Sequence, residues 1–389
     1  MNTAPNSPSA VPIKSTACRT IIAAPMAGGP SCPALVDAVA AHGGLGFLAA
    51  GYKTPDAIDR ECDEVARRAR DRGAEPFFGL NIFIPQPSPS RPERDRAEAY
   101  RDTLQPYYES LGLDTPELTW NTDDHWEGKL AIIRRRLSMR RSRQKETEKV
   151  LTDDHAACPS VVSFTFGLPS TELIDEFHTH GIEVWATVST VRAACDAAKR
   201  GVAGIIIQGV EAGGHRATLT PGEEPNSEPL LTLLRSVSAV LADTPQGEPR
   251  PAIIAAGGIS TRETVVAALS SGADAIAAGT VFAATEEAGT NEPYRQALIS
   301  ATTDDTVVTR AYSGRPARGR RNEFIDAHPD APAVYPAVNG LTSPIRKIAT
   351  TQGNTEYMSL WAGQGVSAVQ GGQVGDVVYQ LDVERRGLS

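Results

Sequence analysis

Eight short apolar segments recur along this chain, and each is followed by residues with helical spacing. The segments centre near positions 22, 47, 79, 162, 184, 206, 254 and 277. Parallel strands joined by right-handed helical crossovers close into a barrel when this unit is repeated eight times. The sequence therefore predicts an α/β fold of the (β/α)8 TIM barrel type, with a doubly wound open sheet as the alternative.

Two regions depart from the repeat. Prolines crowd the segment that follows the third strand, and prolines and glycines after position 305 are too frequent for another strand–helix unit. We therefore expect a flexible tail at 1–17, a barrel at 18–305 with a basic helical insertion at about 85–159, and a C-terminal helical and loop extension at 306–389 that acts as a lid over the active-site mouth.

The insertion combines an apolar helical face with a basic run. Trp126, Leu130, Ile133 and Leu137 recur at helical spacing, and six arginines lie between positions 134 and 143. Such a run could bind a polyanion, but glutamates follow it closely and no aromatic residues interleave with it. A solvated or disordered helix end is the favoured interpretation, and the role of the segment Arg134–Lys149 stays open.

Composition excludes several functional classes. The formal net charge of -9 gives no reason to expect nucleic-acid binding. The sequence contains no uninterrupted apolar run of about 18 residues, so no membrane span is predicted. Five scattered cysteines and an N-terminus without a signal-peptide pattern favour the cytoplasm, and the seven histidines show no pairing typical of a metal site. The oligomeric state stays open.

The segment from Gly204 to Thr218 carries the strongest sign of chemistry. Three isoleucines form a buried strand, and the chain then becomes polar and rich in glycine. Gly213 and Gly214 leave the backbone bare, so a flat or phosphorylated ligand could approach it, and His215 supplies a titratable ring. The alternative is a tight strand-to-helix turn in which the histidine is only a cap.

Other strand ends converge on the same mouth. Glycines follow the last two strands, where barrels of this type bind phosphate through free backbone N–H groups. Gly258, Gly279 and Thr280 are the candidate donors. This pattern does not name the ligand, because phosphorylated substrates and flavin mononucleotide (FMN) are bound in the same way.

Several motifs together resemble the nitronate monooxygenases of the 2-nitropropane dioxygenase family, which are FMN-dependent barrels. The resemblance covers most of the chain outside its tails and insertion. The motifs are AAPMAGG at 23–29, GLNIF at 79–83, VSFTFGLP at 162–169, QGVEAGGHR at 208–216, AAGGI at 255–259, RAYSGRPARG at 310–319, YPAVNGLTSPIR at 335–346 and LWAGQG at 360–365.

The resemblance implies FMN as cofactor, His215 as the catalytic residue, and oxidation of a small anionic alkyl nitronate by O2 to a carbonyl compound and nitrite. For a neutral nitroalkane, an imidazole that titrates near neutral pH would suit removal of the α-proton. The implied FMN-binding residues are Pro25, Met26, Ala27, Asn81, Gln208, Gly213, Gly214, Gly258, Ala277, Ala278, Gly279 and Thr280. The expected substrate-pocket residues are Phe166, Tyr312, Tyr335, Asn339 and Trp361.

The chain departs from the family pattern at two positions. Ala277 stands where glutamine is common, and Ala217 stands where glycine is usual, which bears on FMN affinity and substrate choice. The extension also contains a basic patch of five arginines, which could attract an anionic substrate or could form ion pairs with the barrel. These residues are Arg310, Arg315, Arg318, Arg320 and Arg321. An FMN-dependent enoyl-thioester (enoyl-ACP) reductase and a non-catalytic barrel that binds an anionic metabolite remain as alternative functions.

Overall fold

The computed structural model describes residues 20–145, 157–242 and 250–383, with side chains described outside 141–145. Eight parallel strands form a closed barrel, which confirms the predicted TIM barrel. The strands of the chain are β1 (Ile21–Ala23), β2 (Leu45–Ala49), β3 (Gly79–Phe83), β4 (Val161–Thr165), β5 (Glu183–Val188), β6 (Gly204–Gln208), β7 (Gly214–His215), β8 (Ala252–Ala256), β9 (Ala275–Ala278), β10 (Thr306–Thr309) and β11 (Ala317–Arg320).

The barrel closes between its first and last strands. Ile22 of β1 lies opposite Leu45 of β2 on one side and opposite Ala277 of β9 on the other. The remaining strands, β7, β10 and β11, form a separate sheet in which β11 is central. That small sheet ties the His215 segment to the C-terminal extension, because His215 pairs with Ala317.

The strands are apolar on both faces because each face is buried against a different core. Phe47, Trp185, Ile206 and Ile254 point into the barrel, where the rings of Phe47 and Trp185 lie 5.7 Å apart. Residues of the opposite parity pack against the surrounding helices. Side chains therefore fill the barrel interior, and a cavity lies at the carboxyl ends of the strands.

Helices surround the barrel and build its two additions. Several begin at a threonine or serine whose hydroxyl accepts a backbone N–H, as Thr190 does from Ala193. The helices are α1 (Pro33–Ala41), α2 (Pro55–Asp71), α3 (Arg91–Thr103), α4 (Gln105–Leu111), α5 (Trp126–Lys145), α6 (Thr171–Thr179), α7 (Val191–Lys199), α8 (Leu230–Ala242), α9 (Arg262–Ser270), α10 (Thr280–Ala283), α11 (Glu292–Ile299), α12 (Glu323–Ala327), α13 (Ala337–Gln352) and α14 (Val374–Leu381).

The insertion lies after β3, as predicted, and its first two helices pack on α13 of the extension. The Tyr108 hydroxyl donates to the carbonyl of Leu341 at 2.8 Å, and the Tyr100 hydroxyl donates to the carbonyl of Ala311 at 2.7 Å. Insertion and extension thus share a second apolar core. This core holds α13 across the mouth of the barrel.

The basic run of α5 was expected to be a solvated or disordered helix end, and this expectation is wrong for the buried Arg136, whereas Arg134 and Arg135 are exposed although both form ion pairs. Arg134 binds Glu176 of α6 at 2.7 Å. Arg136 is buried and binds both Asp59 at 2.6 Å and Asp63 at 2.7 Å on α2, and Arg135 also pairs with Asp59. These ion pairs attach α5 to the barrel helices. The side chains from 141 and the chain from 146 to 156 lie outside the described residues.

The last helix of the extension completes the barrel's outer ring. Helix α14 packs against α1 and α9, the helices of the first and seventh barrel units, through buried residues such as Val374 and Leu381. The chain after 305 therefore covers the mouth and also fills the place of an eighth barrel helix. Among the described helices, none combines the length and the apolar content needed to cross a membrane. The tail at 1–17 is not among the described residues.

Candidate active site

A cavity of about 510 Å³ opens at the carboxyl ends of the barrel strands. Nearly all of the predicted site residues line it, including His215. The other predicted residues on its wall are Pro25, Met26, Ala27, Asn81, Phe166, Gln208, Gly213, Gly214, Gly258, Ala277, Ala278, Gly279, Thr280, Asn339 and Trp361. Two predicted pocket residues, Tyr312 and Tyr335, do not reach the wall.

Tyr312 is a packing residue of the second core, so its expected place in the substrate pocket is wrong. Its ring stacks on Phe324 at a centroid distance of 4.8 Å, and its hydroxyl donates to Asn322 and to the carbonyl of Met358. Tyr335 lies directly behind the wall instead, 5.7 Å from the ring of Phe166. The spacing in the sequence could not separate these two tyrosines, because tertiary packing decides which one comes near the mouth.

The segment that carries His215 is fixed from both sides. The side-chain amide of Gln208 donates to the carbonyl of His215 at 3.0 Å, and its oxygen accepts the N–H of Ala217 at 2.8 Å. Gly214 adopts a φ of 72°, a left-handed conformation that favours glycine. Gln208 was expected to contact FMN, but the structure shows that much of its hydrogen-bonding capacity positions the histidine segment.

The imidazole of His215 faces the cavity within an aromatic setting. Its Nε2 hydrogen-bonds to the hydroxyl of Ser313 at 2.8 Å, while the rings of Trp361 and Phe166 lie 5.5 Å and 5.7 Å away. Ser313 lies 98 residues further along the chain and was not predicted. Its place within the RAYSGRPARG motif was the only signal in the sequence that could have drawn attention to it.

Burial lowers the pKa of His215 to about 3, and the guanidinium groups of Arg315 and Arg346 lower it further by repelling a second positive charge. The imidazole is therefore neutral at neutral pH. A ring with so low a pKa is a weak base, so it is poorly suited to remove the α-proton of a neutral nitroalkane. A cation-rich cavity beside a neutral imidazole is instead suited to an anionic ligand.

The arginines of the extension do not form the basic patch that was considered. Arg315 stacks on Phe166, with its guanidinium carbon 3.8 Å from the ring centroid, and donates to Gln86 and Thr218. Three of the others hold the extension to the barrel part of the chain: Arg310 binds Glu224, Arg318 donates to the carbonyl of Val210 and Arg320 to that of Ala297. Arg321 binds Asp326 within the extension itself. The structure thus favours the alternative in which these arginines anchor the extension.

Helix α13 supplies a wall of the cavity that the sequence analysis largely missed. Asn339 was expected there, but Ser343, Arg346, Lys347 and Thr350 line the cavity as well. These positions recur every three or four residues and therefore share one face of the helix. That spacing is visible in the sequence, and it would have identified Arg346 if the helix had been known to cross the mouth.

Strained backbone occurs at the same mouth. Tyr52 and Phe166, two non-glycine residues that line the cavity, have φ values of 67° and 71°. Tyr52 is held by its N–H, which donates to Asp124 at 3.1 Å, and Asp124 forms an ion pair with the buried Lys129 at 2.6 Å. Because such backbone costs energy, its presence at two cavity residues marks this region as a functional one.

The barrel end of the cavity fits a phosphate-bearing ligand. Gly279 has a φ of -111°, which any residue could adopt, and a Cβ there would find only Met26 Sδ at 3.8 Å and Ala24 Cβ at 4.0 Å. The protein therefore does not require glycine at this position, and a side chain there would occupy cavity space. Among the described residues, no acceptor pairs with the backbone N–H groups of Gly258, Gly279 and Thr280, so these groups can bind phosphate oxygens.

Asn81 supplies an acceptor at the floor of the cavity. Its side-chain nitrogen donates to the hydroxyls of Ser163 at 2.9 Å and Thr165 at 3.0 Å. These bonds fix the amide so that its oxygen is left as an acceptor, which suits an N–H on the edge of a flat ring. Ala277 adds no polar group to the wall. In the described part of the chain, no group of His, Cys, Asp and Glu side chains is arranged to hold a metal ion.

The closed barrel and the cavity at the carboxyl ends of its strands define a TIM-barrel enzyme. The family model of nitronate monooxygenase matches residues 11–384, and the chain therefore belongs to the nitronate monooxygenase family. This is a family of oxidoreductases, so the non-catalytic alternative is set aside. A probable nitronate monooxygenase of Bacillus subtilis (strain 168) is 30% identical over 354 residues, which cover 90% of this chain and 91% of that protein.

Solved structures agree with the family and with the fold. The crystal structure of nitroalkane oxidase from Streptomyces ansochromogenes has a TM-score of 0.80 and 35% sequence identity, and the match covers 95% of this chain and 98% of that chain. FabK from Thermotoga maritima has a TM-score of 0.65 at 22% identity over 94% of this chain and 91% of that chain. The second likeness shows a shared fold, and it gives no support to the enoyl-thioester reductase alternative.

Proposed function

We propose that this protein is an FMN-dependent enzyme that oxidises alkyl nitronates with O2 to a carbonyl compound and nitrite. The observation that carries the proposal is the single cavity into which both the glycine turns after β8 and β9 and the imidazole of His215 open. A cofactor phosphate can therefore be bound at one end of the cavity while a small anion is bound beside the histidine. Family membership supports the same chemistry.

FMN would supply a one-electron acceptor for the nitronate. Its phosphate would be held by the backbone N–H groups of Gly258, Gly279 and Thr280. The amide oxygen of Asn81 would accept from a ring N–H, and the backbone of Pro25–Ala27 would lie against the ring. The small side chains of this wall, Ala277 and Ala278 among them, leave the space that a flat ring requires.

His215 would bind the nitronate without taking a proton from it. A nitronate has already lost its α-proton, so the reaction does not need a base of near-neutral pKa at this step. The low pKa of His215 keeps a neutral ring next to the anion, and the bond to Ser313 fixes the orientation of that ring. Neutral nitroalkanes, which would need proton removal first, are expected to react more slowly than the corresponding nitronates.

Two measurements on the purified protein test the proposal. The absorption spectrum should show bound flavin, and anaerobic addition of an alkyl nitronate should change that spectrum as the flavin is reduced. In air, the same nitronate should yield nitrite. Colourless protein, or yellow protein whose spectrum does not change and that releases no nitrite, would refute the proposed activity, and oxidation of NAD(P)H with an enoyl thioester would point to the reductase instead.

A further inference from the structure

The wall formed by α13 carries a cation that the fold itself does not neutralise. Arg346 lines the cavity, and no ion pair with a carboxylate is formed by its guanidinium within the described part of the chain. Arg134, Arg136 and Arg321 are each paired with an acidic side chain. Arg216, Arg315 and Arg318 form no such ion pair among the described residues either, but unlike Arg346 they do not line the cavity. A half-buried cation without a counter-ion is costly unless a ligand supplies the missing charge.

The donors of Arg346 divide into two groups. Its Nε donates to the hydroxyl of Thr342 at 3.2 Å, and its Nη2 donates to the carbonyl of Asn339 at 3.0 Å and to the side-chain oxygen of Asn339 at 2.8 Å. These bonds fix the plane of the guanidinium from within its own helix. A guanidinium has five N–H groups, and the two on Nη1 meet no acceptor among the described residues. They are the donors left for a ligand.

A second possible donor, the hydroxyl of Tyr52, belongs to the same cavity. The hydroxyls of Tyr52 and Tyr335 interact with each other, and because either hydroxyl can act as donor or acceptor, Tyr52 can direct its proton to a ligand while it accepts from Tyr335. Burial raises the pKa of Tyr52, and Arg346 lies near enough to oppose that rise. Tyr52 keeps about 40% of its surface exposed, which places it at the entrance of the cavity.

Arg315 cannot serve in the same way, although it lies near His215. Its guanidinium carbon is 3.8 Å from the centroid of Phe166, and its Nη groups donate to Gln86 and Thr218. The aromatic ring thus separates this cation from the cavity, and its charge acts only through the electrostatic potential. Arg346 is the arginine on the cavity wall itself.

We propose that Arg346 and the hydroxyl of Tyr52 form an anion subsite that binds the nitro oxygens of the substrate and selects the nitronate over the neutral nitroalkane. This inference rests on the proposed function and names residues for its substrate specificity. Arg346 supplies charge and paired donors, Tyr52 supplies one neutral donor, and His215 lines the same cavity. Selection follows because the anionic form gains an ion pair with the guanidinium, whereas the nitro oxygens of the neutral form accept a hydrogen bond without that charge attraction.

The test compares four variants of the full-length, flavin-loaded protein with the wild type, and one of them, Tyr52→Phe, removes only the phenolic hydroxyl. Arg346→Met removes the charge but keeps much of the side-chain length, and Arg346→Lys keeps the charge without the fork of donors. Arg250→Met is the matched control, because Arg250 pairs with Asp274 at the start of the barrel strands, far from the mouth. Turnover is measured with an alkyl nitronate and with the neutral nitroalkane. Nitrate, a planar anion that does not react, serves as the binding probe through tryptophan fluorescence.

For Arg346→Met we expect the KM for the nitronate and the Kd for nitrate to rise about 10–100-fold, the loss typical of one charge-assisted hydrogen bond. The kcat should change less than about threefold, and kcat/KM should fall clearly less for the neutral nitroalkane than for the nitronate, because the neutral form loses a hydrogen bond but no ion pair. Arg346→Lys should be intermediate, and Arg250→Met should match the wild type. Tyr52→Phe should raise the nitronate KM about three- to tenfold, as a lost neutral hydrogen bond does.

An unchanged Kd for nitrate and an unchanged KM for nitronate in folded Arg346→Met protein would overturn the subsite, and so would equal losses for the nitronate and the neutral nitroalkane. If Arg346→Met does not fold, the Kd for nitrate and the KM for the nitronate are measured for Arg346→Lys and Tyr52→Phe, and unchanged values in both variants would overturn the subsite. The proposed function fails separately. Wild-type protein that binds nitrate through Arg346 but does not release nitrite from nitronates would keep the anion subsite and refute the proposed reaction.

Discussion

The cavity has two walls of different origin. One wall comes from the barrel itself and consists of glycine and alanine residues at strand ends, such as Gly258, Ala277 and Gly279. The other comes from α13 and carries polar and charged side chains, with Arg346 at its centre. Backbone groups bind features that many ligands share, whereas side chains discriminate between related ligands. The barrel wall is therefore suited to hold the cofactor, and the α13 wall to select the substrate.

The largest expected effect comes from filling the barrel wall. Gly279→Leu should abolish FMN binding, because the new side chain would enter the cavity and meet no other obstacle. The protein should remain folded, since the φ of Gly279 suits any residue. Flavin content after purification and far-UV circular dichroism measure the two effects. Gly222→Leu, at an exposed glycine with open space around it, is the control. Gly279→Leu protein that is still yellow after purification would contradict the assignment of the barrel wall to FMN binding.

The next effect tests the part of the barrel wall that positions His215. Gln208→Met keeps the side-chain length but removes the bonds to the carbonyl of His215 and to the N–H of Ala217. We expect kcat/KM for the nitronate to fall about tenfold or more through kcat, because two buried backbone groups lose their partner and the ring loses its fixed position. Flavin content should stay near the wild-type level. Loss of flavin with normal kcat in the remaining holoenzyme would instead assign Gln208 to the cofactor.

The pH dependence of stability gives a smaller effect with a definite sign. The pKa of His215 is about 3 in the folded protein, against an ordinary value of 6.5. The unfolded chain therefore takes up a proton as the pH falls below 6.5 while the folded chain does not, and folding becomes less favourable. Between pH 7.5 and pH 5.0 the wild type should lose about 1–2 kcal/mol more than His215→Asn. Urea denaturation of both proteins measures the difference, and equal losses would contradict the neutral, buried imidazole.

The smallest effect concerns Tyr312, which packs behind the α13 wall. Tyr312→Phe removes the hydrogen bonds to Asn322 and to the carbonyl of Met358 and leaves the stack on Phe324 in place. We expect a loss of about 1–2 kcal/mol in the free energy of unfolding, with KM and kcat for the nitronate within twofold of the wild type. A kinetic defect without a loss of stability would contradict this packing role and would indicate that Tyr312 contacts the substrate.

The two walls also differ in how far the sequence could predict them. Strands such as Ile205–Ile207 are apolar on both faces, and the glycine turns follow them directly, so local pattern alone located the barrel, His215 and Gly279. The structure brings Ser313 and Arg346 to the mouth through packing between the insertion and the extension. Such contacts depend on tertiary structure, and neighbouring residues in the sequence do not encode them.

The expectations that failed share this physical cause. Arg136 looked solvated because its acidic partners on α2 could not be assigned from the sequence. The pKa of His215 could not be foreseen either, because it depends on burial and on two arginines from distant parts of the chain. Residue types were informative where the chemistry is local, and insufficient where a side chain takes its environment from another element.

The central claim is that His215 acts on a substrate bound beside the flavin in one shared cavity. Anaerobic stopped-flow reduction of the flavin by an alkyl nitronate, in wild-type and His215→Asn protein, tests it directly. We predict that both proteins are purified with flavin and that the variant is reduced about 100-fold more slowly, because the substrate loses its orienting partner. Reduction of the variant at the wild-type rate would contradict the claim.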